Sequence, residues 1–222
     1  MMTASKPTSS TAHAPIIQTL EEDIVLGVLH PKERLVEDEL MERFQQRRHV
    51  IRAALAKLVH MGLVEHRKNV GAFVRSYGHD EVIDLYDIRE LLEGEAMARM
   101  AMPANPNDIA MLEALQQAHD NAVQAGDPRA IFRANLAFHT GFFALCPNKV
   151  LVDSIRYFAV QTHAIRCSSA NSAQAQNRSR ADHTGMIQAL KNGQRDELVR
   201  LCREHIRPSR DEYLAINKYY LR

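Results

Sequence analysis

Apolar residues at positions 16, 17, 20, 24, 25 and 28 trace one face of a helix over about residues 16–29 and stop before His30 and Pro31. A second, shorter stripe at Leu40, Met41 and Phe44 predicts a helix over about 36–44. After Gln45 and Gln46 a third is predicted over about 47–61. There the pairs Val50/Ile51, Ala54/Leu55 and Leu58/Val59 repeat every four residues, and Gly62 ends the run. The period then changes: "LVEH" and "AFVR" are short β-prone runs on either side of a basic turn that contains Asn69 and Gly71, which predicts a hairpin. Three helices followed by a hairpin predict a winged helix-turn-helix.

From Asp80 onward only helical stripes appear, broken at "MPANPND", "AGDP", "CPN", the polar run "SSANSAQAQNRS" and "KNGQRDE". Six helices of roughly 10 to 20 residues are expected. The predicted chain is therefore mainly α. A Ser/Thr/Ala-rich tail at 1–14 is expected to be disordered, a winged helix-turn-helix domain occupies 15–77, and an all-α helical-bundle domain occupies 80–222.

The composition, 45% hydrophobic and 25% charged over 222 residues, is that of an ordinary soluble protein. No apolar run approaches the roughly 18 residues of a membrane span, and "MMTASKPTSSTAHAP" lacks the apolar core of a signal peptide. A cytoplasmic protein without a membrane partner is expected. Cys146, Cys167 and Cys202 lie far apart without CxxC spacing, which argues for reduced, buried thiols rather than a disulfide framework or a thiolate zinc site.

Net charge of +1 hides a division along the chain. Residues 21–42 carry eight acids against two bases, a local charge of −6, whereas residues 43–75 carry eight bases against one acid, a local charge of +7. A small domain so divided can offer one positive face to phosphates. On the third helix Arg48 and Arg52 are four residues apart and point away from Val50, Ala54 and Leu58, with Arg47 and His49 beside them at the N-terminal end. Arginine can bind guanine O6 and N7 through two parallel hydrogen bonds, so Arg48 and Arg52 are the expected base readers. Arg67, Lys68 and Asn69, with Gly71, are expected at the hairpin tip, placed for phosphates or the minor groove.

In the second half, "FRANLAFHTGFF" puts Asn135 and His139 on one helix face, one turn apart. His183 and His205 lie on two later helical stripes whose apolar members should face the same interior. Three neutral imidazoles and one oxygen donor would suit Zn²⁺, Ni²⁺ or Mn²⁺ in a helical bundle. The separations of 44 and 22 residues are not a metal motif in themselves. Taken singly, each histidine reads as a hydrogen-bonded, partly buried residue, as do His13, His30, His60, His79, His119 and His163.

Residues 20–75 resemble the GntR-type winged-helix regulators through "LGVLHPKERLVEDELMERF", "VIRAALAKLVHMGLVE" and "NVGAFV". The chain departs from that pattern at Lys32, where the family usually has Gly, and at "QQRRHVIRAAL", where Arg47 replaces an N-capping Ser while Arg48 and Arg52 are kept. Residues from about 80 to 215 look like the FCD ligand-sensing domain of the FadR-type branch. That resemblance implies a divalent ion held by His139, His183 and His205, with Asn135 in place of the family Asp. A neutral amide oxygen there lowers the site's negative charge by one and should weaken its hold on the ion. It also implies that Arg89, in "YDIRELLEGEAMARMA", points into a cavity where it could clamp a carboxylate, with Arg166 as a second cation. The alternative for Arg89 is a helix-surface salt bridge to Glu93.

The expected function is a dimeric, DNA-binding regulator, a repressor of a metabolic operon, that binds a near-palindromic operator and responds to a small organic-acid effector. Two alternatives stay open at this stage. One is a hydrolase that uses the three-His site, although Asp182 and Glu204 precede their histidines and so should turn about 100° away from the ligand direction. The other is a DNA-binding protein whose second domain only dimerises.

Overall fold

The computed structural model describes residues 13–163, 165–166 and 172–216. Residues 1–12 of the tail expected at 1–14, and Cys167, lie outside the described residues. The chain divides into two compact units, with the boundary between Ser76 and Tyr77.

The first unit contains α1 (Ala14–Val25), β1 (Arg34–Leu35), α2 (Glu37–Phe44), α3 (Arg48–His60), β2 (Val64–Arg67) and β3 (Gly71–Val74). Ile16, Leu20 and Ile24 of α1 and Ile51, Leu55 and Leu58 of α3 form its buried side, with α1 and α2 both packed on α3. Helix α1 starts within the expected tail and ends four residues before the predicted stop. The Asp23 carbonyl accepts from both Val28 and Leu29 N–H, Gly27 turns at φ +72°, and Val28 is left exposed. Asp23 itself is buried and accepts a 2.5 Å hydrogen bond from Arg43.

Between α2 and α3, Gln45 adopts φ +50°, which makes the tight turn of the helix-turn-helix. Gly62 at φ +75° then releases the chain into the sheet. The expected hairpin forms, β2 against β3, around Asn69 at φ +60° and Gly71 at φ +127°. The sheet has a third strand that the pattern did not predict: β1 pairs antiparallel with β3, Arg34 opposite Phe73 and Leu35 opposite Ala72, in the order β1-β3-β2. Two residues are too few to show a period of two.

The second unit is a bundle of α4 (His79–Ala98), α5 (Pro106–Ala125), α6 (Pro128–Ala144), α7 (Lys149–Gln161), α8 (Ala173–Lys191) and α9 (Arg195–Ile216). Its breaks are built from side-chain caps. Asn105, Asp127, Asn148 and Ser172 each accept a backbone N–H of the following first turn, at 2.8, 3.0, 3.1 and 3.1 Å. Gly126 and Gly193 end α5 and precede α9 at φ +69° and +70°. The polar run "SSANSAQAQNRS" is not a break throughout, because Ser172 caps α8 and the chain is helical from Ala173. Ala173, Gln174, Ala175 and Gln176 behind the cap are strong helix formers, so the helix extends there even without an apolar stripe.

Helix α4 lies against α9, and at Gly94 a Cβ would come within 2.6 Å of Arg203 Nε, so a larger residue there would have to displace that guanidinium. The larger core gathers Met97, Leu112, Phe138, Phe142, Met186, Leu190, Leu198 and Cys202. A second cluster takes Tyr77, Val82, Tyr86, Ile165, Ile206 and Tyr213, so Tyr77, placed with the first domain by sequence, packs with the second. Cys146 and Cys202 are free and buried.

Candidate functional site

In the first unit Arg48 is the first residue of α3 and Arg47 its N-cap, which makes no side-chain capping bond, as the loss of the family Ser implied. Arg47, Arg48, His49 and Arg52 are all exposed. The two expected base readers are not bare cations. Arg52 donates its Nε to both carboxylate oxygens of Glu37, at 2.9 and 3.0 Å. Arg48 donates Nη1 to Glu37 at 3.3 Å and Nη2 to Asp38 at 2.5 Å. The acidic block thus folds directly onto the basic one.

These side chains border a groove of about 660 Å³ that also takes in Arg34 and His66, neither of which the sequence singled out. Lys68 and Asn69 lie exposed between the strands of the hairpin. Arg67 was expected at the tip but is the last residue of β2. It donates to Glu65 at 2.6 and 2.8 Å and lies 4.3 Å from the Phe73 ring centre, because a strand end beside an aromatic gives its planar head a surface to stack on. Gly71 opens β3, and a Cβ there would lie 3.5 Å from Arg34 Nε.

In the second unit His139 of α6, His183 of α8 and His205 of α9 converge, each offering a ring nitrogen within 4.8 Å of the others. His205 Nε2 is 3.3 Å from His139 Nε2. The outer nitrogens have partners of their own. His183 Nδ1 is 2.9 Å from Gln116 Oε1, which accepts from it, and His205 Nδ1 is 3.0 Å from Asp182 Oδ2. Gln116 Nε2 in turn donates to Asp120 at 2.9 Å, and Asp120 accepts from Arg180 at 2.6 Å. Phe138 stacks on His183 at 3.9 Å with 15° between the rings.

Burial, joined by the charge of Arg166, holds the His139 imidazole well below its ordinary value. Burial and the neighbouring His205 do the same for His183. His183, neutral and with its Nδ1 edge already engaged by Gln116, leaves its Nε2 lone pair for a ligand, which is the arrangement that divalent transition metals use. The donor set fits such an ion. Asn135 stands one turn before His139 on α6, half-buried.

Three features correct the sequence reading. Asp182 was expected to lie outside the site because it precedes His183, but α9 brings His205 against it, so it belongs to the cluster's surroundings. His119, read as an ordinary hydrogen-bonded histidine, is buried, has no hydrogen bond at Nδ1 among the described residues, and has its ring centre 5.3 Å from that of His183. Arg89 makes its pair with Glu93 in the interior rather than on a helix surface: both are buried, Nε and Oε1 are 2.8 Å apart, and Nη1 donates to Thr162 at 3.0 Å. Gln116 and Asp120 carried no sequence signal, since an i,i+4 Gln–Asp pair is common on any helix surface.

A cavity of about 50 Å³ lies beside His139, lined also by Arg89, Leu136, Phe143, His163 and Arg166 among others. His163 is buried there, with its ring edge-on to Phe132.

Residues 13–74 match the bacterial regulatory proteins of the gntR family, and residues 84–208 match the FCD domain. The chain belongs to the GntR family of regulators that carry an FCD domain. Its relatives include the Nta operon transcriptional regulator of Aminobacter aminovorans, 27% identical over 84% of this chain and 87% of that protein. The HTH-type transcriptional repressor RspR of Escherichia coli is 22% identical over 86% of this chain and 84% of that protein.

Among solved structures, a GntR regulator from Rhodococcus sp. RHA1 is similar with a TM-score of 0.76, at 19% identity over 94% of this chain and 99% of the other. E. coli McbR/YncC is similar with a TM-score of 0.72, at 20% identity over 93% and 96%. The FCD-bearing GntR protein described here is therefore a DNA-binding transcriptional regulator of a family whose members bind operators and typically dimerise, and not an enzyme. The hydrolase alternative falls with that assignment. Among the described residues no helix is long and apolar enough to cross a membrane.

Proposed function

We propose that this GntR regulator is a repressor of a metabolic operon, released or retained by a small carboxylate that binds between the helices of the FCD domain beside a divalent metal ion. The observation that carries the reading is the meeting of His139, His183 and His205, the first of which lines a cavity that Arg89 and Arg166 also line. His139, His183 and His205 would hold the ion, with Asn135 as the oxygen donor. When bound, it would offer an open position to a carboxylate oxygen. Arg89, already fixed by Glu93 and Thr162, would turn its remaining N–H groups to the acid, and Arg166 would add charge. The cavity is far below the roughly 300–1,000 Å³ of drug-sized sites, which favours a small acid and some opening of the helices on binding. The operon regulator and the repressor among the relatives support the regulatory half of the reading.

In the first unit Arg48 and Arg52 would read guanines, Arg47 and His49 would flank them, and Lys68, Asn69 and Arg67 on the wing would meet phosphates or the minor groove, with the Gly71 turn setting its shape. A dimer would present two such heads to a near-palindromic operator in the cytoplasm, and a ligand that prefers one arrangement of the heads would shift DNA affinity by its differential binding.

The test begins with elemental analysis of the purified protein and zinc and nickel titration of the wild type and His183→Ala. Selection of bound duplexes from a randomised library follows, and then a screen of small carboxylic acids against the selected duplex. Bound metal lost in His183→Ala, and an acid that changes DNA affinity only in the wild type, are the expected results. Metal affinity unchanged by the substitution would overturn the metal site. No effect of any small acid on DNA binding would leave a second domain that only dimerises.

A further inference from the structure

The two base-reading arginines proposed above are held by the acidic helix in different ways. Arg52 gives only its Nε to Glu37, so among the described residues its Nη1 and Nη2 donate to no protein group. Those two nitrogens form one of the parallel-donor edges that can match guanine O6 and N7. Arg48 has the opposite arrangement: Nη1 is on Glu37 and Nη2 on Asp38, so its corresponding edge is closed.

We infer that Glu37 is a specificity-determining residue of the DNA-binding head, one that never touches a base but aims Arg52 at guanine, whereas Asp38 is a stopper that Arg48 must leave before it can touch DNA. The inference rests on Arg52 being a base reader. Its physical content is an asymmetry of cost. Binding DNA leaves the Glu37–Arg52 pair in place, because guanine uses the edge that Glu37 does not. A long, exposed guanidinium that is already oriented loses less rotamer freedom on docking, and this saving is realised only where a guanine meets it. The Asp38–Arg48 pair has to be exchanged on every DNA sequence, so it weakens all complexes alike.

Glu37 is the first residue of α2, after the extended Val36, and its carboxylate is 28% exposed. The hydrogen bond from Arg52, reinforced by the charges of Arg52 and Arg48, holds its carboxyl below the usual range, so the pair is ionised wherever the protein binds DNA. Exposed pairs of this kind contribute little to stability, so their removal should leave the fold intact.

The experiment uses full-length protein and a randomised duplex library. Selection is run with wild type, Glu37→Ala, Glu37→Gln, Asp38→Asn and Arg52→Ala. Affinities for the wild-type selected duplex and a scrambled duplex of equal composition are then read by fluorescence anisotropy at several salt concentrations. Circular dichroism checks the fold. Glu37→Ala should lose preference at one guanine position and lower the selected-to-scrambled ratio roughly tenfold, as Arg52→Ala does. Glu37→Gln keeps an acceptor oxygen for Nε and should keep part of the ratio. Asp38→Asn should tighten both duplexes by the same factor, about two- to fivefold, with the ratio unchanged.

If Arg52→Ala relaxes the motif while Glu37→Ala leaves motif and ratio within twofold of wild type, the inference fails and the base-reading role survives. If Arg52→Ala also leaves the motif unchanged, the base-reading role fails and takes the inference with it. Equal tightening of both duplexes by Glu37→Ala would make Glu37 a mere charge screen and overturn the aiming role.

Discussion

The two units of this regulator solve opposite electrostatic problems with the same residue types. In the head, the cations Arg48 and Arg52 stay exposed and are balanced by exposed or half-exposed acids on α2. In the FCD domain, the imidazoles of His139 and His183 are kept neutral by burial, and the cation Arg89 is buried with Glu93. A surface that must meet a polyanion gains from charges that are cheap to release. A pocket that distinguishes one small ligand, as proposed for the FCD domain, gains from groups fixed by packing, where a misplaced partner is costly. The head thus carries charges suited to exchanging partners, and the FCD domain carries groups held in place.

The largest effect should come from breaking the packing beneath the sensor. Phe138→Ala removes a fully buried ring stacked on His183, and should cost about 3–5 kcal/mol in chemical denaturation. Next, Gln116→Ala frees His183 Nδ1 without removing a ligand. Zinc affinity by competition with a chelating dye should fall roughly 10- to 100-fold with the secondary structure unchanged. An unchanged affinity would mean that His183 needs no fixed orientation, against the contrast drawn here.

On the exchangeable side, Arg48→Ala and Arg52→Ala should each cost about 1–3 kcal/mol on the selected duplex and relax its motif, while Lys68→Ala should weaken all duplexes evenly and lower the salt slope by about one.

The neutral histidines also make stability depend on pH. His139 and His183 are depressed below 6.5, so as pH falls through that value the unfolded imidazoles take up protons that the native ones refuse. Metal-free protein should lose stability below about pH 6.5, by up to about 1.4 kcal/mol per pH unit for each histidine, and thermal melts from pH 8 to 5 would read it. The smallest effect is Lys32→Gly. Lys32 holds φ +68°, the position where the family usually has Gly, and the replacement should raise stability by about 0.5–1 kcal/mol.

Much of the fold was legible because it is local. The stripe through Val50, Leu55 and Leu58, the turn at Asn69 and the breaks that contain Asn105, Asp127 and Asn148 each declare themselves within a few residues. Strand β1 did not, since two residues carry no period, and its place beside β3 comes from pairing with residues almost forty positions away. Nor did the end of α1, which is set by the Asp23 carbonyl drawing back two later N–H groups.

The chemistry divides along the same line. By itself the sequence determined the order of head and bundle, the exposed pair Arg48 and Arg52, and the helices that carry His139, His183 and His205, because periodicity fixes which face of its own helix a residue occupies. Only the tertiary structure decided that the three histidines meet, that Asp182 serves His205 rather than its neighbour, that Gln116 holds His183, and that Glu37 and Asp38 grip the two arginines unequally. Those contacts depend on how each helix is rotated and crossed against another, and that is set by the packing of whole faces, which no single stretch of sequence contains.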